Sequence, residues 1–216
     1  MKIRGAIFDV DGTLLDSMPM WGRLCTNYLL GRGISPRPDL RERVRCMSVP
    51  VAAAYLQKEY AIPASVETVL AEILALADAE YRERLPLKPG AAAFLQALHA
   101  RGVPMCVATA GDRTLADAAL TRCGVRGLFI DIVTCADVGQ DKGSPRIYER
   151  ALERLDTARA ETAVFEDALY AARTAHDAGF PVVALRDDSE PQQEALRALA
   201  DVYAVDFDRA AAMVLK

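Results

Sequence analysis

Two acids one residue apart, Asp9 and Asp11, close a short apolar run in IFDVDGTLLDS (residues 7–17), and a third, Asp16, follows the Gly-Thr pair. Carboxylates this close repel each other, so the arrangement needs a cation or a proton-transfer task. Other reactive residue types end apolar runs further along the chain. Thr109 and Ala110 follow VPMCVA, Lys142 precedes a helical pattern, and Glu166 and Asp167 follow ETAVF. Acids gather a hard divalent cation, whereas a hydroxyl, backbone amides and a lysine hold an anion. Oxygen donors without His or Cys among them select Mg²⁺ over zinc. Mg²⁺ bound by one or two carboxylates plus a substrate phosphate is the usual arrangement for phosphoryl transfer. Lys142 and backbone amides would then neutralise the equatorial oxygens of the transferring group. Each residue also has a plainer reading: Asp167 as the cap of the helix after it, Lys142 as a solvated lysine, Thr109 as a turn residue. Their coincidence at successive strand ends favours a site.

Those residues converge only if the elements carrying them lie side by side. Residues 3 to 9 read as a buried strand ending at an acid, with Gly-Thr as the turn after it. From Leu14 to Pro86 the apolar residues recur at helical spacing, and the breakers GRGISPRP and AIPAS divide that block into at least three helices. After LPLKPG the pattern alternates: helix 91–101, strand 103–109, helix 112–123, strand 129–134, helix 145–155, strand 161–167, helix 168–178, strand 180–185. A helix near 190–199, a short strand at VYAV and a terminal helix follow. Alternation of this kind implies right-handed crossovers and a mainly parallel sheet covered on both faces. The expectation is an α/β fold: a three-layer Rossmann-like core (1–13 and 87–216) with an inserted all-helical cap domain (14–86). The insert should leave from the carboxyl end of the first strand, the edge where open α/β sheets bind ligands. The polar stretch LRDDSEPQQEA (185–195) reads as loop.

The chain has 216 residues, 52% of them hydrophobic, enough for one sizeable core with or without a smaller insert. A formal charge of -4 lacks the basic footprint that nucleic acid or an anionic membrane would require, so neither is an expected partner. The apolar run in MKIRGAIFDVDG breaks at Asp9, too early for a secretory segment. No run approaches the ~18 apolar residues of a membrane span. Five scattered cysteines without a CxxC pair read as free thiols, which suits a cytoplasmic setting.

The residues also resemble a known family, the haloacid dehalogenase superfamily hydrolases with a helical cap, in the group that includes β-phosphoglucomutase and many small-molecule phosphatases. The first motif, DxDGTxxDS, stands here as DVDGTLLDS. The second is VATA with Thr109, the third DKGSPRIYERAL with Lys142, the fourth EDALYAARTAHDAG. The resemblance implies that Asp9 is the nucleophile and forms an aspartyl-phosphate, and that Asp11 is the general acid and then the base. It implies Mg²⁺ held by Asp9, the main-chain carbonyl of Asp11, Asp167 and Glu166, with Thr109 and the Ala110 amide on phosphate oxygens and Lys142 bridging phosphate and Asp9. Asp16 falls at the exit toward the cap, as a structural acid. The third motif departs from the usual pattern at Gly143, where proline is usual, and the fourth at Ala168 and Ala171, where serine and glycine are usual.

Asp11 is absent from family members that cleave carbon–halogen or carbon–phosphorus bonds, so its presence points to phosphate esters. The histidine and cap arginine of the sugar-phosphate mutases are replaced by Trp21 and Val49. Hydrolysis of a small phosphorylated metabolite is therefore favoured over a mutase or phosphotransferase, with a non-catalytic phospho-ligand binder as a further alternative. Met18, Met20, Trp21, Met47 and Val49 either line the substrate pocket or form cap core. Arg113 either approaches the substrate or is a solvated helix-start residue. A monomer or weak dimer is expected.

Overall fold

The computed structural model describes residues 1, 3–44 and 47–215. Six strands form one sheet: β1 (Gly5–Phe8), β2 (Met105–Thr109), β3 (Asp131–Thr134), β4 (Thr162–Glu166), β5 (Val182–Leu185) and β6 (Val202–Ala204). Their order is β3-β2-β1-β4-β5-β6, and every neighbouring pair is parallel. The strands are short apolar runs buried on both faces, as a parallel sheet between two helical layers requires.

The first five helices are α1 (Met18–Trp21), α2 (Leu24–Gly31), α3 (Leu40–Val44), α4 (Val49–Glu59) and α5 (Val66–Glu83). Seven more alternate with the strands: α6 (Ala91–Ala100), α7 (Arg113–Arg122), α8 (Cys135–Val138), α9 (Arg146–Leu155), α10 (Leu169–Asp177), α11 (Gln193–Leu199) and α12 (Phe207–Val214). One face of the sheet packs Ile7, Cys106, Val164 and Val182 against Ile147, Ala172 and Leu196 of α9, α10 and α11. On the other face Phe8 stacks on Phe165 at 4.2 Å, and Phe94 of α6 and Phe207 of α12 close over them. The fold is thus a three-layer α/β core with an all-helical insert.

The chain divides into two compact units, Met1–Ser17 with Leu85–Lys216, and Met18–Arg84. Within the first, the outgoing and returning segments run together. Leu15 bridges Leu87, the Asp16 N–H donates to the Pro86 carbonyl at 3.0 Å, and the Lys88 N–H donates to Leu14 at 2.8 Å. In the helical unit α4 and α5 pack along each other, and the indole N–H of Trp21 donates to the Tyr81 hydroxyl at 3.1 Å with the rings edge to face. Met20 is buried, whereas Met18, Trp21, Met47 and Val49 are half-buried. No helix among the described residues is long and apolar enough to cross a membrane. Cys25, Cys106, Cys123 and Cys135 are free thiols; Cys46 lies outside the described residues.

Candidate active site

The sheet order reverses direction on either side of β1, and the crevice at such a point is where open α/β sheets take ligands. The parallel register pairs Phe8 with Phe165, so the next residues, Asp9 just past β1 and Glu166 at the end of β4, stand side by side. The Asp9 N–H donates to the Phe165 carbonyl at 3.0 Å and extends that register past the end of β1. Asp9, Glu166 and Asp167 are all buried, and one carboxylate oxygen from each lies within 4.8 Å of the others.

Lys142, 3% exposed on the segment between α8 and α9, donates from Nζ to both Asp9 Oδ1 and Glu166 Oε1. It is therefore not a solvated lysine. Burial works against its ammonium, but the Asp9 and Glu166 carboxylates outweigh that and raise its pKa above the ordinary lysine value. The turn that delivers it uses the Gly143 N–H, which donates to Asp141 Oδ1 at 2.8 Å, a bond that proline at this position has no hydrogen to make.

Asp167 does not cap α10. The N-cap is Ala168, which has no side-chain acceptor, and Asp167 Oδ1 instead accepts the Thr13 hydroxyl at 2.7 Å. Gly12 allows this approach: its φ is +84°, and a Cβ there would stand 2.3 Å from Asp167 Oδ2. Burial, then the charges of Asp9 and Glu166, push the Asp167 carboxyl well above its ordinary range. Burial also raises Glu166, to about 7, against the pull of Lys142 and of the Tyr148 hydroxyl, with Asp9 adding to the rise. Tyr148, fully buried on α9, donates to Glu166 Oε1 at 3.1 Å and lies 3.3 Å from the Ala171 carbonyl.

Asp11 is half-buried beside this cluster, and its Oδ1 accepts the Ser17 hydroxyl at 2.6 Å. A Cβ on Gly111 would lie 3.3 Å from both Asp11 Oδ2 and Thr109 Oγ1, so Asp11 and Thr109 flank the same glycine. Thr109, at the end of β2, also accepts the Gly111 N–H at 3.0 Å, so it is at once a turn residue and a member of the site edge. Ala110 follows it, exposed. Two candidates lie apart: Asp16 is exposed on the outgoing segment, and Arg113 is occupied by Asp131 at 3.4 Å and Asp137 at 2.7 Å.

Sequence reasoning missed Thr13, Ser17 and Tyr148 as partners of the acids. The first two stand inside DVDGTLLDS and were legible as donors next to acids. Tyr148 could be found only by knowing which face of α9 meets β4.

Oxygen donors gathered in a buried, mutually repelling cluster fit a hard divalent cation. Comparison with known proteins identifies the family. The family model of the haloacid dehalogenase-like hydrolases matches residues 3–179, and the chain belongs to that family. Validoxylamine A 7'-phosphate phosphatase of Streptomyces hygroscopicus subsp. limoneus is 30% identical over 206 residues, covering 93% of this chain and 94% of that protein. The bifunctional riboflavin kinase/FMN phosphatase of Arabidopsis thaliana is 29% identical over 90% of this chain, which spans only 51% of that protein. A putative beta-phosphoglucomutase from Thermotoga maritima shares the fold, with a TM-score of 0.87 at 22% identity and 98% of each chain covered. By class the chain is a phosphoric monoester hydrolase.

Proposed function

We propose that the chain is a Mg²⁺-dependent phosphatase that hydrolyses a small phosphorylated metabolite through an aspartyl-phosphate on Asp9. The observation that carries this reading is the buried Lys142 bridging Asp9 and Glu166 beside Asp167. A carboxylate oriented by a lysine can attack phosphorus, and its neighbour two residues on can give and take a proton.

Asp9, the main-chain carbonyl of Asp11, Asp167 and Glu166 would hold the ion. When bound, Mg²⁺ offsets the negative charge of the phosphoryl group and of the acids around it. Asp9 attacks the phosphorus and the ester oxygen departs with a proton from Asp11. Asp11 then draws the proton from the water that attacks the aspartyl-phosphate, which frees phosphate and restores both carboxyls. Lys142, Thr109 and the Ala110 amide hold the phosphate oxygens through both steps. Among the relatives that cover most of the chain, two are by name phosphatases of FMN and of validoxylamine A 7'-phosphate, which supports that substrate class.

A screen for phosphate release over sugar, polyol and nucleotide-type monophosphates, with and without Mg²⁺, tests the reading, with Asp9→Asn as blank. The expected outcome is turnover of at least one ester that needs Mg²⁺ and falls by 10³-fold or more in the variant, on the order of what loss of a nucleophile costs. Release no higher than the blank for every ester would leave a phospho-ligand binder as the better description.

A further inference from the structure

We infer that Glu190, on the segment between β5 and α11, is a positioning residue for the metal-binding acids: it holds the first amide of α10, a helix whose N-cap residue Ala168 offers no side-chain acceptor. The inference rests on the metal-dependent reading above. Ala168 has the extended backbone of an N-cap, φ -92° and ψ 126°, but no side-chain acceptor. The orphan N–H of Leu169, a buried residue, is taken instead by Glu190 Oε2 at 2.9 Å, from 21 residues away. A carboxylate at that end also suits the helix dipole.

Glu190 is itself held in place. Its other oxygen, Oε1, accepts the Gln192 N–H at 2.8 Å, and its backbone carbonyl accepts Gln193 Nε2 at 3.2 Å. The same segment is fastened to the returning linker by Lys88, whose Nζ lies 2.7 Å from Asp187, with both side chains nearly buried. Leu169 is two positions beyond Asp167. Without this bond the first turn of α10 would exchange the carboxylate for water, and Asp167, still bonded to Thr13, would lose the backbone support that follows it. Supporting groups of this kind typically change metal affinity by roughly 10-fold or more when removed.

The test uses the purified full chain, with Mg²⁺ alone as titrant in calorimetry and amide hydrogen exchange of residues 168–171 as a second measurement. Glu190→Ala should weaken Mg²⁺ binding by about tenfold and speed exchange in the first turn of α10. Glu190→Gln keeps an acceptor oxygen without the charge and should bind Mg²⁺ close to wild type. Unchanged binding in Glu190→Ala, or an equal loss in Glu190→Gln, overturns the inference. Wild-type protein that binds no Mg²⁺ would count against the phosphatase reading instead, and the exchange measurement would still decide whether Glu190 holds the first turn.

Discussion

Asp167 is constrained from three sides: the Thr13 hydroxyl on one oxygen, the Gly12 backbone against the other, and two acids beside it. Thr13→Val keeps the shape of the side chain and removes the donor. A buried carboxylate that loses such a bond costs on the order of 1–3 kcal/mol. The prediction is an unfolding free energy, from urea denaturation, lowered by that amount in metal-free protein, together with a weaker Mg²⁺-induced rise in Tm. The acids at strand ends and Lys142 were legible because their residue types are unusual there. The functions of Thr13 and Tyr148 were not, because a hydroxyl carries no signal until its acceptor is known. The plainer reading of Asp167 as a helix cap fails for a related reason: position before a helix does not fix which way a short carboxylate turns.

At the scale of elements, the turn after β1 is the narrowest point. Gly12→Ala would force a left-handed residue and place a methyl inside contact distance of Asp167. The expected outcome is a folded protein, by circular dichroism, that shows no Mg²⁺-dependent rise in Tm and no phosphate release. Period and breakers located the strands and the helical block, with strand ends off by a residue or two. The division of that block into five helices was less legible, and the short α8 was not anticipated. Those helices are only four or five residues long in places, too short to show a period. The stretch 185–195 read as loop on composition, yet Asp187, Glu190 and Gln193 use their side chains to order it. Polar composition distinguishes poorly between a solvated loop and a hydrogen-bonded brace.

For the whole molecule, the acid cluster makes stability depend on pH in an unusual direction. Glu166 is raised from 4.5 to about 7 in the folded chain, and Asp167 is also raised. Between those values the folded state keeps protons that the unfolded chain has released, so stability of the metal-free protein falls as pH rises through the window. Lysine 142, raised above its ordinary value, stays charged throughout and does not contribute there. Thermal melts from pH 5 to 7 should show Tm declining without metal, and the decline should vanish with excess Mg²⁺. At roughly 100 times its Kd the ion adds about 2.7 kcal/mol. A Tm that climbs with pH in metal-free buffer would contradict this account of the cluster.

The same assembly fixes an order of events in biosynthesis. Asp9 meets Lys142 across 133 residues and Thr13 meets Asp167 across 154. At typical elongation rates the later partner emerges roughly 7–31 s after the earlier one. A nascent chain can complete neither the sheet register nor the acid cluster until β4 and Asp167 have emerged, so under the proposed mechanism a shorter ribosome-bound intermediate would lack the metal ligands. The site is therefore a late product of synthesis: the β1–β4 pair is a precondition for it, and the Glu190 brace follows.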